Sequence, residues 1–96
     1  MSGVEAFYVH YVLSRAKELS YLRTLVKQGV WCTDSGDEIS ISEMSTSHIL
    51  NSMNMLKRHY SEYDTGRQEI AEQYISLFSA ELEKRYPKED PAIMNG

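Results

Sequence analysis

Apolar side chains at Val4, Tyr8, Tyr11, Val12, Leu19, Leu22 and Val26 recur with the spacing of one helix face, widened by Phe7, Tyr21 and Leu25. Val9 and Leu13 fall on the far side, so the first half of this helix is apolar nearly all round. Ser2-Gly3-Val4-Glu5 fits a capping box that starts it, and Gly29 supplies a residue able to take the left-handed conformation that stops it. About 26 residues make close to 40 Å of helix at 1.5 Å per residue. That is long for a small domain, and it predicts self-association through helix 1, a homo-oligomer.

Residues 30–33 and 38–41 then alternate as two short strands around Asp34-Ser35-Gly36-Asp37. Asp early and Gly late suit a type I turn closed by a glycine bulge. With 34–36 as the loop, Thr33 faces Asp37 and Trp31 faces Ile39. Trp31, Ile39 and Ile41 then share one face, and Cys32, Glu38 and Ser40 the other. An isolated two-stranded hairpin is marginal in water, so its apolar face must lie on the helices, with Trp31 as anchor.

Helix 2 is expected to start after Ser45, with Met44 and Ile49 at the spacing of a hydrophobic staple. His48 takes the third helical position, where its imidazole can accept the cap's backbone N–H as Glu or Gln usually does. Ile49, Met53, Leu56 and Tyr60 form one face, widened by Leu50. Helix 3 begins with a second capping box, Thr65-Gly66-Arg67-Gln68. It carries Ala71, Ile75, Phe78 and Leu82 on one face, widened by Ile70, Tyr74 and Leu77. Glu81 and Arg85 are spaced for an exposed ion pair, and Pro87 ends the helix. The fold class is therefore mainly α: three helices with a β-hairpin inserted between helix 1 and helix 2. Residues 1–86 form a single domain, with the hairpin at about 30–41 and a flexible tail over 87–96.

Composition narrows the function classes. The 96 residues are 42% hydrophobic and 25% charged, ordinary for one globular core. No apolar run approaches the ~20 residues that span a bilayer, and the start of the chain lacks the pattern of a secretory signal. One cysteine, Cys32, cannot make an internal disulfide, which favours a reducing, cytoplasmic compartment. The net charge of −4 arises wholly in the last third, residues 61–96, so no dense cationic face invites phosphate.

Candidate chemistry is sparse. Cys32 and His48 could form a nucleophile and base, with Asp34 or Asn51 orienting the ring. But Cys32 lies in a strand, away from any helix N-terminus, and nothing supplies an oxyanion hole. A half-buried structural cysteine is the preferred reading. His10, His48 and His59 fall at no metal-ligand spacing, so neither a metal nor another cofactor is expected. The seven tyrosines are a more suggestive excess. Tyr8 and Tyr11 share a helix face and either close the core or meet a partner. Arg15, four residues after Tyr11, lies on the same stripe and needs a counter-group or a route to water. Lys57, Arg58 and His59 complement the dipole at the end of helix 2.

Trp31, Thr33, Gly36, Ile39, Ile41, Met44, His48, Ile49 and Asn51 together resemble a hairpin–helix motif of small bacteriophage-encoded proteins of uncharacterised function. The likeness continues to Leu56 and Lys57 or Arg58 and covers about a third of the chain. It implies a phage or prophage origin and an accessory role exercised by binding a host component. Most of these positions are explained as core, turn or cap. Asn51, one turn beyond His48, is not. The expected function is a non-enzymatic accessory or counter-defence protein that binds a host protein. Tyr8, Tyr11, Arg15, Asn51 and Arg58 are its candidate interface. A nucleic-acid or nucleotide-binding module is the second reading and a small enzyme the third.

Overall fold

The computed structural model describes residues 15–87. The Ser2 capping box, Tyr8, Tyr11, His10 and the tail beyond Pro87 lie outside the described residues, as does the side chain of Arg15. Within them stand three helices, α1 (Arg15–Gln28), α2 (Thr46–His59) and α3 (Thr65–Arg85). Strands β1 (Val30–Cys32) and β2 (Glu38–Ser40) form an antiparallel hairpin between α1 and α2. No helix among the described residues is long and apolar enough to cross a membrane.

Gly29 stops α1 as its sequence implies, with φ at +69°. The hairpin register is Val30 to Ser40, Trp31 to Ile39 and Cys32 to Glu38. Thr33 donates its N–H to the Asp37 carbonyl at 2.8 Å, and Gly36 takes φ +93° in the turn, as a bulge-closed loop requires. One detail differs. Ile41 leaves the strand for a 3-10 turn over Ile41–Glu43, donating its N–H to the Gly29 carbonyl at 2.9 Å. That bond ties the hairpin's exit to the end of α1, and Ile41 reaches the core without strand geometry.

All three helices and the hairpin meet through α3. Trp31 is buried, with its ring 5.0 Å from Tyr74 and 5.3 Å from Phe78, both edge-on. Burial raises the Tyr74 hydroxyl's pKa above the ordinary tyrosine range, and it donates to the Val30 carbonyl at 2.6 Å. One residue thus holds both the anchor and the strand that carries it. Tyr63 is also buried, so among the described residues two tyrosines are core.

Three details of the helices correct the sequence reading. Leu50, read as widening the α2 face, is exposed; Ser52 and Met55 are buried instead, because α3 and the hairpin cover that flank. Asp64, not Thr65, caps α3: its carboxylate accepts the Arg67 N–H at 2.9 Å and pairs with the Arg67 guanidinium at 2.6 Å. A charged acceptor at a helix N-terminus displaces the weaker hydroxyl. Gln68, the other half of the expected capping box, donates to the Tyr60 carbonyl. Lastly, the Glu81–Arg85 pair forms at 2.9 Å but is half-buried rather than exposed. Arg85 also reaches Thr46 Oγ1 and the Ile41 and Ser42 carbonyls, so it fastens the end of α3 to the entry of α2.

Candidate functional site

Ser45 caps α2 by accepting the His48 N–H at 3.1 Å, and Met44 and Ile49 are both buried, as a staple demands. The His48 ring does not complete the box. Only the His48 backbone N–H serves the cap, and the ring lines a cleft between α2 and the hairpin. Residues 48, 51, 52, 55 and 58 fall at helical spacing along one side of α2. Their side chains, with Asp34 from the turn and Trp31 from β1, line a cavity of about 280 Å³. Trp31, Ser52 and Met55 are its buried floor; Asp34, His48, Asn51 and Arg58 form its rim.

The rim is chemically idle within the fold. Neighbouring polar groups are engaged: Thr33 and Ser35 share a hydrogen bond of 2.9 Å, Ser35 donates to Asp37, and His59 pairs with Glu62 at 2.8 Å. Among the described residues, the side chains of Asp34, His48, Asn51 and Arg58 make no hydrogen bond or ion pair. The fold therefore gathers two of the five interface candidates, Asn51 and Arg58, and adds His48, Asp34 and the Trp31 floor. Helical spacing from Asn51 was sufficient to find His48, Met55 and Arg58. Asp34 entered the sequence reading only as a possible partner of the His48 ring; the fold brings both to one cleft without a hydrogen bond between them.

The proposed nucleophile is elsewhere. Strand alternation sends Cys32 away from Trp31 and the cleft, towards α1, where Tyr21 donates to Glu38 at 2.7 Å beside it. Cys32 is buried rather than half-buried, because α1 covers this second face of β1. Burial lifts the thiol's pKa above its ordinary value; a hydrogen bond from Tyr21 opposes the rise, and the charges of Glu38 and Asp37 add to it. Near neutral pH, iodoacetamide is expected to label native Cys32 at least tenfold more slowly than the urea-unfolded chain (roughly, from thiolate fraction and access). Equal rates, read by intact mass, would place the thiol in solvent.

Asp34, His48 and Ser52 also line one cleft, the composition of a serine triad, but no hydrogen bond joins any two of them. No group of three or more His, Cys, Asp or Glu among the described residues is placed to hold a metal ion. A larger cavity of about 390 Å³ lies between β2 and α3, but its carboxylate, Glu81, is already committed to Arg85. Comparisons with protein-family models, curated proteins and solved structures find no match to this chain.

Proposed function

We infer that the protein is a non-enzymatic accessory protein of phage type that acts in the host cytoplasm by binding a host protein. The observation that carries this reading is the idle polar rim over an apolar floor. Asp34, Asn51 and Arg58 are exposed and open to water, so a ligand docking on the largely apolar floor can replace that water with its own hydrogen-bonding groups and leave none of them unpaired. The separation of Cys32 from His48 supports binding over nucleophilic catalysis. The shielding of Trp31, only 3% exposed, leaves the cleft no aromatic plane on which a base could stack, which weighs against the nucleic-acid reading. Self-association through helix 1, based on Tyr8 and Tyr11, is a further part of the proposal and is read from the purified protein's mass in solution.

The test is a tagged pulldown from bacterial lysate, with and without nuclease, comparing the native chain with an Asn51→Ala/Arg58→Gln variant. The expected result is a stoichiometric host protein that survives nuclease and is depleted at least tenfold by the variant, the effect of removing about 1.4 kcal/mol of contact. Recovery that disappears with nuclease would replace this reading with nucleic-acid binding.

A further inference from the structure

The cleft's chemistry defines its ligand more narrowly than partner binding requires, and the following rests on the reading above. The rim has one fixed cation, Arg58, and one fixed anion, Asp34, so with His48 neutral its formal charge is zero. A polyphosphate would meet Asp34 with strong repulsion and only one guanidinium to offset it. A singly charged group fits better. Arg58 presents a planar fork suited to two parallel hydrogen bonds with a carboxylate. Asp34 offers only acceptors, Asn51 offers both donor and acceptor, and the His48 ring offers one of each when neutral. A peptide backbone, with alternating N–H and C=O groups, satisfies such a mixed rim. From residue 48 to residue 58 the α2 face runs about 15 Å, enough for four or five extended residues.

We propose that the cleft between the hairpin turn and α2 is a recognition site for an extended peptide segment bearing a carboxylate. Arg58 receives the carboxylate, Asn51 and His48 hydrogen-bond the peptide backbone, and Asp34 accepts a backbone N–H. Met55 and the edge of Trp31 take up aliphatic stems. The carboxylate comes either from an acidic side chain or from a chain terminus; both present the same two oxygens to Arg58.

The test titrates the full chain with three pentapeptide probes, followed by amide and Trp31 indole NMR shifts. One is an end-capped alanine peptide with a central glutamate. The second has glutamine there, and the third is all alanine with a free C-terminal carboxylate. At least one carboxylate probe is expected to bind at roughly millimolar affinity, as suits so small a ligand, with shifts at Asp34 and along 48–58. The glutamine peptide and the Arg58→Gln variant should each weaken binding about tenfold, while Lys57→Gln changes it less than twofold. Preference for the glutamate peptide assigns a side-chain carboxylate; preference for the free terminus assigns a chain end. Absence of cleft shifts, equal binding of the glutamate and glutamine peptides, or equal loss in Lys57→Gln overturns the proposal. If a host protein is captured as strongly by Arg58→Gln as by the native chain, the partner-binding reading survives and this cleft is not its site. If the peptides bind but no host protein is captured, the cleft chemistry stands and the functional reading fails.

Discussion

Replacing Trp31 with alanine is expected to lower the unfolding free energy by about 3–5 kcal/mol, the usual cost of deleting a large buried aromatic. The indole is buried between the hairpin and α3, edge-on to both Tyr74 and Phe78, so its loss leaves a void lined by two rings. Neither ring can close on it. Tyr74 is held by its bond to the Val30 carbonyl, and Phe78 is itself fully buried. The floor of the cleft goes with the indole, so peptide binding should fail together with stability. Urea denaturation monitored by circular dichroism reads the change directly. A loss below about 1 kcal/mol would mean that the hairpin does not depend on this anchor.

The second large effect lies away from the cleft, where α1 meets the start of α3. Glu18 and Arg67 form an ion pair with both side chains 2% exposed, and Asp64 joins it from the α3 cap. Removing one member of such a pair strands a charge in the interior, whereas removing both leaves only a packing problem. Arg67→Met should therefore destabilise the protein by about 3–5 kcal/mol. Adding Glu18→Leu to it should recover most of that loss, to within about 1 kcal/mol of the native protein. Thermal and chemical denaturation of the two single variants and the double variant form the cycle that checks this. Additive losses would show that the two charges do not depend on each other. The pair also fixes how α1 lies across α3. Gly66 sits one residue before Arg67, and a side-chain carbon there would come within 3.0 Å of Leu19 Cδ1. The Leu19 side chain against Gly66 and the buried charge pair together dock α1 on the start of α3.

The local elements were largely legible. The α1 stop at Gly29, the turn at Gly36, the Trp31–Ile39 pairing and the Ser45 cap follow from φ preferences, strand alternation and the spacing of a capping oxygen. Each involves residues within a few positions of one another. The misreadings share a different cause. Thr65 looked like a cap because its own tetrapeptide fits the pattern, but Asp64 wins through the guanidinium of Arg67, which Glu18 holds from another helix. Leu50 looked like core on helical period alone, yet only the placement of α3 and the hairpin decides which flank of α2 is covered. Arg85 read as a surface partner for Glu81 because the carbonyls of Ile41 and Ser42 are more than forty residues away. Glu18 did leave a trace: an acid four residues before Leu22 and seven before Leu25, at the start of the buried α1 face, needs a counter-charge. Arg67 left the same trace, three, four and seven residues before Ile70, Ala71 and Tyr74 on the buried α3 face, but nothing local paired the two.

The candidate site divides along the same line. Asn51 stood out in the sequence because no element of the fold required it, and helical spacing extends it to His48, Met55 and Arg58 on one side of α2. Those relations are set by backbone geometry within a single helix, so sequence by itself determined them. Whether that side faced water, a second copy or the core could not be settled there. It was decided by Trp31 docking on Tyr74 and Phe78, which brings the hairpin turn and Asp34 up to α2 and turns a polar stripe into a cleft with a floor. Short-range periodicity fixes which side chains stand together on an element. Only long-range packing, through contacts between α3 and everything else, fixes what they face.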